Sequence, residues 1–367
     1  MPNKKPGILF LLAGIFIICF IIATIYEAHQ YSGWLLMGFF VALAFAFRSY
    51  DLLRGYSFTI AIFAAVSLAM YYPEHFISVG DFKFSKLIKP LMQIIMFGMG
   101  TGLGIKDFAR VLQMPKGVIA GVLCHYLIMP AIAFTITRIF SFPDEIAAGI
   151  ILIGSCPNGL ASNVMTYLAR ANLALSVTLT AISTFIAPFV TPFFMQLLAG
   201  QYVEVDFWKM MMDILEITII PIVAGLVFNY FLAGKFKAID TIMPVFSMFA
   251  IALIIVVITA IGRNELLVVG PMLILAVFIH NMSGYFLGYW SGRLLRMKEK
   301  DCRTIAIEVG MQNGGLASAI ALTMGKTVGL AAAIFGPMMN ITGSSLALWW
   351  RSRPLPDDGE PEIQVKH

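Results

Sequence analysis

Twelve runs of mostly apolar residues, each close to the length of a membrane crossing, follow one another along this chain. Their limits are 7–26, 33–47, 56–73, 88–105, 117–138, 145–168, 173–198, 210–232, 241–262, 267–292, 302–323 and 328–350. A hydrocarbon core of about 30 Å is crossed by a helix of about 20 apolar residues. The expected fold class is therefore an all-α polytopic membrane protein that uses the lipid bilayer as its solvent.

Charge supports that reading. Only 12% of the 367 residues are charged and 59% are hydrophobic, with a mean hydropathy of +0.87. A soluble domain is about 25% charged. The formal charge of +5 points to no nucleic-acid partner, because basic residues in such a chain mainly report orientation. With the N-terminus in the cytoplasm, 18 of the 25 Lys and Arg fall on the cytoplasmic side, among them Arg293, Arg296, Lys298, Lys300 and Arg303. The other seven, among them Lys83, Lys86, Lys89 and Arg263, fall opposite. Missing one span would scramble this bias, so the sequence predicts twelve spans in an inner membrane with both termini inside.

Lys4-Lys5 and the uncharged stretch 6–26 form the first span. The stretch is longer than a signal-peptide core, and no small-x-small cleavage site precedes His29, so the span is expected to stay uncleaved. The polar tail from Pro354 is expected to be disordered. Cys19, Cys124, Cys156 and Cys302 form no CxxC pair, so neither a metal site nor a disulfide framework is indicated. No cofactor is expected.

Two spans are interrupted at mid-depth. The sixth contains Cys156-Pro-Asn-Gly-Leu-Ala-Ser-Asn163, and the eleventh contains Glu308-Val-Gly-Met-Gln-Asn-Gly-Gly-Leu-Ala-Ser318. They share a fragment, Asn158-Gly-Leu-Ala-Ser162 against Asn313-Gly-Gly-Leu-Ala-Ser318. They lie five spans apart, and an odd offset makes the two copies enter the membrane from opposite sides. This pattern predicts a ten-helix inverted repeat (5+5) with two crossing discontinuous helices. The expected parts are two additional N-terminal spans in 1–55, a first five-helix repeat in 56–200, a second in 201–350 and a cytoplasmic tail in 351–367.

A helix broken within lipid exposes carbonyls at one half-helix end and N–H groups at the other. Carbonyl ends suit cations and N–H ends suit anions. Two crossing breaks thus predict a site for cations together with a carboxylate-like substrate. Glu308 stands out, because an intramembrane carboxylate is costly and marks function by default. A protonated Glu that joins two helices is the plainer reading, and Gln312 and Asn313 directly after it weigh against that. Ser162, Asn163, Ser176 and Thr180 form a second polar cluster of oxygens suited to a hard cation. Ser176 and Thr180 are four residues apart and share a helix face. Alone they would read as ordinary membrane-helix packing; beside the break they read as ligands.

Other polar or glycine-rich positions read more plainly. His125 and His280-Asn281 are expected to make helix–helix hydrogen bonds. Gly98-Met-Gly-Thr-Gly-Leu-Gly104 lacks the Lys-Ser/Thr ending of a phosphate loop and is expected to allow close helix packing. Asp213 and Glu216 are expected at the membrane interface.

At these residues the chain resembles the bile acid:sodium symporter family. The segments Gly154–Arg170 and Asn172–Thr184 look like the family's first crossover region, and Ile307–Asn313 looks like its second. His280-Asn281 and Asn340-Ile-Thr-Gly343 also match. The resemblance covers roughly 56–350. It implies a ten-helix inverted repeat with a panel and a core domain, and Na+ as coupling ion behind the crossover. One sodium site would use Ser162, Asn163, Ser176, Thr180 and Glu308. A second would use Glu308, Val309, Met311 and Gln312, with His125 where the family usually has a glutamine. Asn158, Gly159, Leu160, Asn313 and Gly314 would face the substrate. The chain departs from the pattern in its first two spans, in His125, and in Pro-Asn-Gly where relatives often have Pro-Gly-Gly.

The expected activity is secondary active transport: sodium-coupled symport of a small-molecule organic anion, bile-acid-like or a small carboxylate, by alternating access. The alternative is a proton-coupled organic anion transporter using Glu308 and His125, which imidazole titration near neutral pH would make pH-sensitive. An intramembrane enzyme is disfavoured, because the chain has no HExxH, no GxSxG and no mid-span Asp pair. A passive channel would need a continuous polar pore, whereas the polar residues here cluster at one depth.

Overall fold

The computed structural model describes residues 5–50, 53–104, 113–232, 237–353 and 355. Lys4, Lys106, Arg110, Lys235 and nearly all of the polar tail, which the charge and disorder readings used, lie outside the described residues.

Each of the twelve apolar runs is helical. Nine of the described helices are long and apolar enough to cross a membrane. They include α1 (Lys5–Ile25), α2 (His29–Arg48) and α3 (Ser57–Tyr71). A short hairpin, Ser78–Val79 against Phe82–Lys83, turns at Gly80, whose φ of +57° suits a residue without a Cβ. α4 (Ile88–Gly102) follows at 15 residues, then α5 (Pro115–Ile139).

The sixth run is broken, as expected, into α6 (Asp144–Ser155) and α7 (Ala161–Leu168). These are half-helices of about 18 Å and 12 Å at 1.5 Å per residue, so together they match one crossing. The cause is local. Pro157 disfavours helical backbone at Cys156, whose ψ is 157°. α8 (Leu173–Phe194) is capped by the Asn172 side chain, which accepts from Leu175 N, and ends in a π-helical turn at Met195–Ala199. α9 (Phe207–Ile214) runs through a second π-helical turn, Leu215–Ile219, into α10 (Ile220–Leu232). α11 (Lys237–Ile261) and α12 (Arg263–Leu294) precede the second broken run, α13 (Glu299–Gly310) and α14 (Gly314–Ala321). The Asn313 side chain caps α14 by accepting from Leu316 N at 3.0 Å. α15 (Leu330–Arg351) closes the fold.

Packing sorts these helices into two groups. α3, α4, α10 and α11 pack on one another, and α1 and α2 join them through α3. α5, α6, α7, α8, α12, α13, α14 and α15 form the other group, with both breaks at its centre. The glycine-rich end of α4 does allow close packing: a Cβ on Gly100 would collide with the Ile222 carbonyl oxygen of α10. Glu216 lies in the π-helical turn and pairs with Lys89 of α4 at 2.7 Å, both half exposed.

Candidate ion site at the crossed breaks

The two unwound segments satisfy each other. Asn313 N donates to Pro157 O at 2.8 Å and Gly159 N donates to Met311 O at 3.3 Å, a short antiparallel bridge between chain segments over 150 residues apart. Within lipid such groups must be paired, and this pairing places the ends of four half-helices together. Gly159 is required for the approach, since a Cβ there would lie 2.6 Å from Gln312 O.

Glu308, on the last turn of α13, is fully buried beside this bridge. Ser176 Oγ lies 2.5 Å from its Oε1, and Thr180 Oγ1 lies 3.1 Å from its Oε2. Ser176 Oγ is also 2.7 Å from Asn163 Oδ1. Ser162 Oγ donates to Gly159 O at 2.7 Å and approaches Thr180 Oγ1 at 3.4 Å. The five residues of the first expected site are thus one cluster, drawn from α7, α8 and α13.

The cluster holds more close oxygens than hydrogens. Ser176 has one hydroxyl hydrogen and two acceptors in reach, Asn163 Oδ1 and the Glu308 carboxylate. Thr180 also faces both. Ser162 spends its hydrogen on Gly159. A cation among these oxygens, or a proton on Glu308, relieves the shortage, and an oxygen-only donor set fits a hard cation such as Na+.

Asn158, expected to face the substrate, is 2% exposed, and its amide donates to Glu308 twice, to Oε2 at 2.7 Å and to the main-chain O at 2.8 Å. The amide supplies two hydrogens, one for the buried carboxylate and one for the main-chain oxygen. Gly159 and Gly314 are buried, Asn313 is 8% exposed, and Leu160, at 39%, is the open member of the set.

Around the expected second site, Gln312 Nε2 donates to Val309 O at 2.9 Å, which leaves Gln312 Oε1 buried without a partner. Asn158 Oδ1 and His125 Nδ1 are likewise unpartnered. His125 Nε2 donates to Cys156 O at 2.9 Å, at the first break. Met311 contributes its main-chain oxygen to the bridge. The expected helix–helix role holds for His280, whose Nε2 bonds Met129 O at 3.0 Å.

Three further contacts support the site through partners that the sequence does not mark. Asn281 Nδ2 donates to Gly310 O, a terminal carbonyl of α13, at 2.8 Å, and Thr342 Oγ1 donates to Asn281 Oδ1 at 2.5 Å. Glu145 Oε2, in the first turn of α6, accepts from both N and Oγ1 of Thr327 at 2.7 Å. Asp301 Oδ1, in the first turn of α13, accepts from Asn172 Nδ2 at 2.8 Å. An acidic residue opening a hydrophobic run was the available signal for the last two.

The chain is similar in sequence to known transporters. The model of the sodium bile acid symporter family matches residues 89–268. An uncharacterized sodium-dependent transporter of Bacillus subtilis, YocS, is 37% identical over 300 residues, covering 82% of this chain and 92% of that protein. A probable chloroplastic sodium/metabolite cotransporter of rice, BASS1, is 34% identical over 310 residues, covering 83% and 74%. Its Arabidopsis thaliana counterpart is 37% identical over 268 residues, covering 72% and 66%. These relatives are named as transporters, not enzymes. With both crossed breaks in place and relatives of this similarity along most of its length, the chain is a multi-pass membrane protein that belongs to the sodium bile acid symporter family.

Proposed function

We propose that this protein couples inward sodium movement to uptake of an organic anion, bile-acid-like or a small carboxylate, by alternating access. The observation that carries the proposal is the buried Glu308 carboxylate within a cluster of oxygens that outnumber their hydrogens. Sodium bound there by Ser162, Asn163, Ser176, Thr180 and Glu308 neutralises the carboxylate and fixes the crossed breaks. The unpartnered Gln312 Oε1 supports a second ion near Val309, Met311 and His125. The N-termini of α7 and α14, at Leu160, Asn313 and Gly314, point positive helix ends at one region, which suits the substrate anion.

The packing of two helix groups supports a rigid-body rotation of one against the other around the site. An inverted repeat, 56–200 against 201–350, is supported by a paired contact. Glu145 at the start of α6 holds Thr327 ahead of α15, and Asp301 at the start of α13 holds Asn172 ahead of α8. With the termini inside an inner membrane, two sodium ions and one monoanion carry one net charge inward, to which 100 mV contributes about 2.3 kcal/mol. Two tenfold sodium gradients add about 2.8 kcal/mol, which together allow a several-thousand-fold accumulation.

Proton coupling through Glu308 and His125 is the competing reading. Their side chains share no hydrogen bond among the described residues, and His125 Nε2 donates to Cys156 O. Uptake of a panel of labelled organic anions into proteoliposomes tests both readings. Accumulation that requires an inward sodium gradient supports sodium coupling; accumulation driven by a proton gradient without sodium contradicts it. Uptake that stays flat from pH 5.5 to 8 counts against a titrating His125.

A further inference from the structure

Away from the crossed breaks, α12, the first turns of α13 and the end of α15 enclose a cavity of about 540 Å³. None of the residues of the ion cluster lines it. Its walls are aromatic and set in place by one another. Tyr289 stacks on Trp350 with centroids 6.0 Å apart, and its hydroxyl donates to Glu299 Oε2 at 2.9 Å. Phe286, Trp290 and Trp349 also line it and remain largely exposed on the outer face of the helices.

The polar edge of the cavity is cationic. Glu299 is answered twice, by Arg303 Nε at 2.9 Å and by Arg293 at 3.5 Å. Arg303 is buried and also donates to Trp350 O at 3.2 Å. Arg353 is different: its guanidinium lies 3.8 Å over the Trp349 ring and has no acidic partner among the described residues. Among the described residues, positive charge remains at the mouth after Glu299 is matched. The cavity therefore combines a fixed guanidinium, aromatic walls and an opening onto the face that meets lipid.

Tryptophan and tyrosine gather at the membrane–water interface, and basic pockets between membrane helices hold anionic head groups. We propose that this cavity is a binding site for an anionic phospholipid of the leaflet at that end. The phosphate sits against Arg353, and the acyl chains run along Phe286, Trp290 and Trp349. Arg353 stacked on an indole is suited to a phosphate, since a guanidinium presents several donors in one plane.

Native mass spectrometry of the delipidated, detergent-purified full chain tests this. Phosphatidylglycerol and phosphatidylcholine of the same acyl chains are the lipid probes, and inorganic phosphate as the potassium salt is a third arm, with melting temperature read in parallel. The expected result is at least about tenfold greater retention of phosphatidylglycerol than of phosphatidylcholine. That preference should be lost in Arg353→Gln and weakened in Trp349→Ala, with both variants melting as the wild type does without lipid. Equal retention of the two lipids overturns the proposal, as does an unchanged preference in both variants. Stabilisation by inorganic phosphate equal to that by phosphatidylglycerol also overturns it, because it would assign the site to a soluble anion.

Discussion

The side-chain amide of Asn158 donates to both the carboxylate and the main-chain oxygen of Glu308, so the first break holds the charged residue of the second. One residue thereby joins the half-helix crossing to the ion cluster. A cation that engages Glu308 acts on both breaks at once, which is the mechanical requirement for ion binding to prepare the substrate region.

Asn158→Ala removes that tie and leaves the buried carboxylate short of one hydrogen bond and the Glu308 main-chain oxygen short of another. A hydrogen bond to a charged group contributes about 1.5–3 kcal/mol, so sodium half-saturation should rise by about ten- to a hundredfold. Sodium titration of uptake in proteoliposomes measures this. An unchanged half-saturation would mean that the amide does not support the ion site.

Gly159→Ala should disrupt the crossing, because the added Cβ meets the Gln312 carbonyl oxygen and the backbone has nowhere to retreat. Overpacking of this kind costs about 1–3 kcal/mol. Gly102→Ala is the matched control, since nothing lies within 4 Å of its Cβ position. Thermal unfolding of both variants should show a lowered melting temperature for the first alone. Equal behaviour would remove the close backbone approach from the account.

Thr327→Val and Asn172→Ala each break one member of the paired contact. Thr327→Val leaves Glu145 without its hydroxyl donor, and Asn172→Ala leaves Asp301 without its amide donor. Each loses a hydrogen bond contributing about 1–2 kcal/mol, and Asn172→Ala costs about 1 kcal/mol more because it also removes the α8 cap. Chemical denaturation or calorimetry checks this. A large loss in one and none in the other would argue against related roles in two repeats.

Much of this arrangement was legible in the chain, for physical reasons. Apolar runs report membrane helices directly, and Pro157 with the polar stretch 311–313 reports the breaks, because lipid tolerates such residues only where something pairs with them. Ser176 and Thr180 could be placed on one face by helical spacing alone. The target of Asn158 could not. Its proximity to Glu308 arises from two segments 150 residues apart meeting at the bridge, which leaves no local pattern. The same holds for Asn281 on Gly310 and Glu145 on Thr327.

If Glu308 and its oxygen neighbours bind sodium, sodium raises the thermal stability of the protein. Lithium, potassium and choline at matched ionic strength serve as controls, in the wild type and in Glu308→Ala. An ion that binds only the native state stabilises it by about 1.4 kcal/mol for each tenfold rise in concentration above its dissociation constant. A sodium-specific rise in melting temperature that Glu308→Ala abolishes is the expected result. A wild type that melts alike in sodium and choline, or a shift that survives in Glu308→Ala, would contradict it.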